Sequence, residues 1–179
     1  MLARAFDDDP LFLAILPEPA QRRRALAALF EEWARRLHLP HDTNFTTDDH
    51  SGAALWSPPG HWSLSLFTLA RMGPRMLGAL GSRTIPALRV LGVIDKPHPR
   101  TPHNYLRIIG CDPDRQGQGI GSALLRPMLD RCDSRREPAY LESSKERNLT
   151  FYRRHGFEVT GEVVTHLGPR AWLMWREPR

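Results

Sequence analysis

Arg115-Gln116-Gly117-Gln118-Gly119-Ile120-Gly121-Ser122 is the most informative stretch of this chain. Before it, Tyr105 to Cys111 alternates and is rich in β-formers, which predicts a strand. After it, Ile120, Ala123, Leu124, Met128 and Cys132 recur at helical spacing, which predicts a helix over Gly119 to Arg131 with a bend at Pro127. The stretch is therefore a glycine-rich loop between strand and helix. Glycine lacks Cβ and tolerates positive φ, so successive backbone N–H groups can converge on one point. The helix start adds unpaired N–H donors and the positive end of its dipole. Together they predict an anion site suited to a phosphate or pyrophosphate, with Arg115 as a cation at its rim.

Two familiar phosphate loops do not fit. A Walker loop needs a Gly-Lys pair, and the chain contains none. A dinucleotide fingerprint needs glycine where Ser122 stands. Glu142 lies near the place of that fingerprint's acidic partner. However, Cys111 to Gln116 make too long a turn, and too few residues follow for a doubly wound sheet.

Elsewhere, Ala139 to Glu142, Phe157 to Thr165 and Ala171 to Arg176 read as strands. Asn148 to His155 reads as a short helix capped by Asn148 and closed by Gly156. Upstream, Ala20 to Leu37 has helical spacing between Pro19 and Pro40, and Gly52 to Trp56 reads as a strand. Residues 61 to 98, broken by Gly73, Pro74, Gly78, Gly81 and Pro86, read as two helical pieces with loops. This order predicts one mixed α/β domain over residues 1–179.

Composition narrows the function classes. Apolar residues make up 41% and charged residues 25% of 179, which suits a packed domain rather than a disordered chain. No uncharged apolar run approaches a membrane span, and no secretory signal is evident. Two cysteines, Cys111 and Cys132, rule out a disulfide framework or cysteine-rich zinc site. A cytoplasmic location is the expectation. The formal charge of +5 resides largely in arginine pairs without interleaved aromatics, which predicts solvated faces rather than a nucleic-acid surface.

The loop with Arg115 and Gln116 resembles the Q/R-x-x-G-x-G/A pyrophosphate loop of the GCN5-related N-acetyltransferases (GNAT). Leu106 to Pro113 resembles that family's splayed strand and its exit. Tyr140-Leu141-Glu142-Ser143-Ser144 and Asn148-Leu149-Thr150-Phe151-Tyr152-Arg153-Arg154-His155-Gly156-Phe157 resemble its second signature. Gly168 to Trp175 and Gly73-Pro74-Arg75-Met76 resemble puromycin N-acetyltransferase-like members. The resemblance implies a GNAT-type, mostly antiparallel central sheet with a splayed coenzyme-binding strand and flanking helices. It implies acetyl-CoA as co-substrate, its pantetheine arm along Ile108, Ile109, Gly110 and Cys111. It places the pyrophosphate on the amides of Gln116, Gly117, Gln118, Gly119, Ile120 and Gly121, with Ser122 close by. Asn148 would steady the pantetheine arm, and Tyr152 would stand beside the sulfur as general acid. Two departures stand out. Met1 to Phe6 resembles the back half of the family's first helix, so its first strand is expected to be missing: either the start is later than the functional one, or a partner copy, as in a homodimer, or a rearranged segment covers the sheet edge. Gly110 beside Cys111 predicts a flexible or bulged strand.

Glu142 is the candidate general base. Cys111 reads as a small buried hydrophobe rather than a nucleophile. His103 reads as a solvent-facing loop residue, Glu31 and Glu32 as a solvated helix face, and Trp56, Trp62 and Phe67 as core. His38 and His41 lack a third ligand, so no metal is expected. The function expected is acetyl transfer from acetyl-CoA to a primary amine, small-molecule or peptide, by direct attack in a ternary complex. The alternative is a non-catalytic acyl-CoA-binding or sensing protein.

Overall fold

The structure, a computed structural model, describes residues 1–63 and 66–179. Strand propensity and alternation build a six-stranded sheet in the order β1-β2-β3-β4-β6-β5. The strands are β1 (Phe45–Thr46), β2 (Gly52–Ser57), β3 (Asn104–Cys111), β4 (Ala139–Ser143), β5 (Glu158–Val164) and β6 (Arg170–Arg176). Every neighbouring pair is antiparallel except β3 and β4. The crossover between those two is the helix α6 (Ile120–Arg135), as a parallel pair requires. The mixed, mostly antiparallel sheet with flanking helices expected from the resemblance is present.

The pairing of β3 with β4 stops early. Asn104 to Leu106 face Ala139 to Leu141, and no pairing follows. Beyond Leu106, β3 stays paired with β2 as far as Cys111, so its other edge is left open. A bulge accompanies the parting: Leu55 pairs with Ile108 and Trp56 with Leu106, so Arg107 is the extra residue. This corrects the expectation of a bulge at Gly110, which lies in regular register opposite Ala53. Gly110 is required for another reason. A Cβ there would come within 2.8 Å of Leu2 and 3.1 Å of the Ala5 Cβ, on the helix α1 (Leu2–Ala5).

The helices pack in two layers. On one face, Leu124, Leu125, Met128 and Cys132 of α6 bury against Trp56, Leu106 and Leu141. Leu149 and Tyr152 of the short helix α7 (Leu149–Arg154) join the same cluster. On the other face, Leu26, Leu29 and Phe30 of α3 (Pro19–Trp33) cover Leu55 and Ile108. Pro19 opens α3, while Ala34–His38 continue it as a π-helical turn. Glu32 of α3 is buried, not solvated: it pairs with Arg36, and Arg75 reaches it at 3.0 Å. Arg75 also pairs with Glu31, so the Gly73-Pro74-Arg75-Met76 stretch ties α4 (Leu66–Leu80) to α3.

Residues upstream of Phe45 are helical or irregular: α1, then α2 (Pro10–Ile15) capped by Asp9, then α3. After α4, a single 3₁₀ turn leads into α5 (Thr84–Asp95). By length and composition alone the helical stretch Phe67–Asp95 is long and apolar enough to cross a membrane, but Arg71, Arg75, Arg83 and Arg89 interrupt it, so no uncharged run of that length is present. Phe67 is 69% exposed and so is not a core residue, whereas Trp56 is fully buried.

Candidate active site

The glycine loop adopts the conformation its composition predicts. Gly117 and Gly119 have φ of 77° and 82°, in the left-handed region that only glycine enters cheaply. Neither would meet another protein atom with an added Cβ, so both face open space. Gly119 is the residue before α6, and the first intrahelical bond runs from the Ala123 N–H to its carbonyl at 3.1 Å. The N–H groups of Ile120, Gly121 and Ser122 therefore precede the helical ladder. Gly121 lets Phe151 approach to 3.0 Å of where a Cβ would stand. This cradle can hold a phosphate.

Arg115, placed at the rim by sequence, is engaged there: its Nε donates to Gln118 Oε1 at 3.0 Å, and its guanidinium lies 3.3 Å from Asp49. Gln118 is thereby turned onto Arg115, and it is absent from the lining of the cleft that begins at the loop. That cleft, about 460 Å³, follows the gap between β3 and β4. Ile109, Gly110 and Cys111 line one lip, and Ser143, Ser144, Asn148 and Tyr152 the other. Ile108 turns to the opposite face of the sheet, so only its backbone belongs to the open strand edge. Asn148 does not cap α7 with its side chain; it ends a 3₁₀ turn, Glu146–Asn148, with helical backbone angles. A residue already helical cannot take the extended geometry of a capping position. Its side chain is left for the cleft it lines.

Cys111 is half-buried on this cleft. Burial and the neighbouring Asp112 push its thiol up, which disfavours the thiolate that nucleophilic chemistry needs. Tyr152 is buried, and burial and the Asp9 carboxylate raise its phenol. Lys145, Arg147 and Arg154 also line the cleft. The sequence reading missed all three, although their basic signal lies in Lys145-Glu146-Arg147 and Arg153-Arg154.

Glu142 stands where the cleft meets a second cavity. Both of its oxygens are held. Tyr105 Oη donates to Oε2 at 2.6 Å, and His98 Nδ1 lies 3.2 Å from Oε1. Behind it, His98 Nε2 meets His103 Nε2 at 3.0 Å, and His103 Nδ1 donates to the Thr101 carbonyl at 2.7 Å. With the Thr101 carbonyl accepting from His103 Nδ1, one proton lies between the two Nε2 atoms, and His98 Nδ1 faces the Glu142 carboxylate. Trp62 stacks on His98 at 3.8 Å between centroids. His103 is thus buried rather than solvent-facing, because the Pro97-His98-Pro99 turn folds His98 onto it. That proline-flanked spacing was the one visible sign of the pair. Asp9, which lines the same two cavities, accepts from the Leu11 N–H at 3.0 Å and from Ser144 Oγ. Among the described residues, no group of three His, Cys, Asp or Glu side chains is placed to hold a metal ion.

Residues 87–159, from α5 to the start of β5, match the Acetyltransferase (GNAT) domain family. This stretch is similar to that acetyltransferase domain. An N-acetyltransferase of Schizosaccharomyces pombe, named as uncharacterised, is 27% identical over 168 residues, covering 87% of this chain and 67% of that protein. A mycothiol acetyltransferase of Acidimicrobium ferrooxidans is 27% identical over 184 residues, covering 88% of this chain and 54% of that protein. The chain thus spans about half to two-thirds of the length of these relatives. The crystal structure of a Corynebacterium glutamicum protein described as histone acetyltransferase HPA2 and related acetyltransferase superposes with a TM-score of 0.72 at 27% identity, covering 99% of this chain and 87% of that one. Arylalkylamine N-acetyltransferase 2 of Aedes aegypti shares the fold, with a TM-score of 0.54 at 14% identity over 99% and 91% of the two chains. Within the matched stretch, the glycine cradle and the open edge of β3 meet at one cleft.

Proposed function

We propose that the protein transfers the acetyl group of acetyl-CoA to a primary amine by direct attack within a ternary complex. The observation that carries this reading is the early parting of β3 from β4 beside the glycine cradle, with Glu142 at the inner end of the gap. The amides of Gln116 to Ser122 would hold the pyrophosphate, and Arg115, Arg147 and Arg154 would lie within the reach of its charges. The open edge of Ile108 to Cys111 offers backbone partners for an amide-bearing pantetheine arm, and Asn148 supplies a side-chain amide on the facing lip. Bound acetyl-CoA supplies an activated thioester carbonyl and a thiol leaving group.

An ammonium carries no lone pair, so the acceptor must lose a proton before it attacks. Glu142 is the base, directly or through one water, held in place by Tyr105 and the His98–His103 pair behind it. Tyr152 keeps its phenolic proton across the neutral range and donates it on the leaving side. The cavity opening beside Glu142 leaves room for an acceptor, which supports transfer over simple acyl-CoA binding.

An amine panel assayed with acetyl-CoA by release of free thiol tests the reaction. Tyr152→Phe is expected to lower kcat at least about tenfold with acetyl-CoA affinity unchanged. Glu142→Gln is expected to lower the rate by about 10²–10⁴-fold, most at low pH, where more of the acceptor is protonated. No thiol release with any amine, or a wild-type kcat in both variants where chemistry limits turnover, would overturn the reading.

A further inference from the structure

The second cavity is unlike the coenzyme cleft. It also measures about 460 Å³, within the range of small-ligand sites, but its walls are almost wholly hydrocarbon. α2 and α3 supply Phe12, Ile15 and Phe30, while α4 and α5 supply Met72, Met76 and Leu91. Leu69, Leu77 and Leu88 line it as well, yet they are 36%, 57% and 54% exposed. They form an open apolar rim on the side away from the sheet. Apolar side chains left in water in this way mark a ligand or partner surface.

The inner end is different. There Phe6, Asp9, Arg107, Glu142 and Ser144 line both this cavity and the coenzyme cleft, so the two communicate. Asp95 also faces the cavity. Three carboxylates therefore stand against one guanidinium. The Arg107 guanidinium is held to one side, its Nη2 bonded to the Trp62 carbonyl and its Cζ 4.9 Å from the Tyr105 ring centroid, while its buried Nε has no partner among the described residues. The site thus combines a cationic-head pocket at the reaction centre with a long apolar sleeve behind it.

We propose that this cavity is the acceptor site and that it takes a small-molecule primary amine borne on an extended apolar arm. The inference rests on the transfer reading only for what becomes of the amine. The head lies at Glu142, Asp9 and Asp95, and the arm runs between α3 and α4–α5 toward Leu77 and Leu88. Burying hydrocarbon gains roughly 0.8 kcal/mol per methylene, a factor of about three to four in affinity. Extended polar amines, such as polyamines, would bury charge in this sleeve and are disfavoured.

Calorimetry without acetyl-CoA on a series from ethylamine to dodecylamine tests the proposal. Affinity is expected to rise about three- to fourfold per methylene until the sleeve is full, and n-alkanols of equal length are expected to bind more weakly. Leu77→Glu and Leu88→Glu, both at exposed positions, should flatten the dependence on arm length, with acetyl-CoA affinity reporting that the fold is intact. Affinity that ignores arm length, or equal affinity for alkanols, would overturn the proposal. So would uptake of the protein by phosphatidylcholine vesicles without any binding of the monomeric amines. Length-dependent binding with no thiol release would support the site and overturn the transfer reading. Turnover of polar amines alone would do the reverse.

Discussion

Gly119 holds a φ of 82° at the start of α6 and faces open space. A side chain there meets no protein atom, so it costs the fold only the backbone strain, about 1–2 kcal/mol. It would, however, project into the cradle where a phosphate must come close. Gly119→Trp is therefore expected to weaken acetyl-CoA binding at least tenfold by calorimetry while the protein still melts cooperatively. Unchanged affinity would remove the loop from coenzyme binding. His38 makes a different residue-scale argument. It is fully buried, its Nδ1 bonded to the Trp56 carbonyl at 3.0 Å and its Nε2 without a partner among the described residues. Burial, with Arg107 and His41 nearby, pushes its pKa down to about 4. Above the unfolded value near 6.5 both states are neutral, and the group is silent. As pH falls below that, the unfolded chain takes up the proton and the native state does not, until pH reaches about 4. Stability should therefore fall by up to about 3 kcal/mol across this window. Denaturant titrations at pH 7.5 and 4.5 check it. His38→Leu, which leaves Thr43 donating to the Trp56 carbonyl at 2.9 Å, should lose distinctly less over the same interval.

Single contacts decide how the elements sit. α1 is a single helical turn and gains little from its own hydrogen bonds. It is held by the bare backbone of β3 at Gly110, where the Ala5 Cβ leaves no room for a branched residue. Gly110→Val should overpack this contact and lower stability by about 1–3 kcal/mol, with a matching drop in Tm. At the far end of the sheet, Arg176 of β6 is buried and donates to Asp133 of α6 through both Nη atoms, at 2.8 and 2.7 Å. Its Nε donates to the His155 carbonyl at 2.9 Å, at the end of α7. One guanidinium thus joins β6, α6 and α7. Removing it leaves a carboxylate and a carbonyl short of donors, which costs about 2–3 kcal/mol. Arg176→Leu should show this in denaturant unfolding, and a change under about 0.5 kcal/mol would mean that water replaces the ties without loss.

Across the whole molecule, the first nine residues span the two lips of the cleft. Arg4 pairs with Asp112 and Asp114 on the loop side, both at 2.8 Å. Asp8 pairs with Lys145 and with Arg147, the latter at 2.6 Å, and Asp9 with Ser144 on the other side. Exposed pairs of this kind contribute at most about 1 kcal/mol each. Asp8 nonetheless neutralises two cations that line the cleft beside the glycine loop. Asp8→Ala should leave stability within about 1 kcal/mol of wild type. It should also tighten acetyl-CoA binding about two- to fivefold at low salt, the gain vanishing at high salt as screening grows. Equal affinity at every ionic strength would show that Lys145 and Arg147 do not meet the coenzyme.

The local features of the sheet and its glycine loop were legible in the chain because backbone rules depend on near neighbours alone. The cradle follows from glycine's freedom at positive φ and a following helix, and the strands follow from period-two alternation at Tyr105–Cys111 and Ala171–Arg176. What the chain did not disclose arises where distant segments meet. The parting of β3 from β4 turns on one extra residue, Arg107, which no propensity distinguishes from its neighbours. The proline-broken region between β2 and β3 became a nearly continuous helical pair because Met76, Leu80 and Val90 found apolar partners on α2 and α3. Glu32 and His103 looked like surface residues until Arg75 and His98, far or turned away in sequence, were folded against them. Sequence by itself determined which residues could cradle a phosphate and which stretches could be strands. Only the tertiary structure decided the surroundings of Glu142 and the shape of the cavity beside it, because burial and pairing are properties of the packed chain.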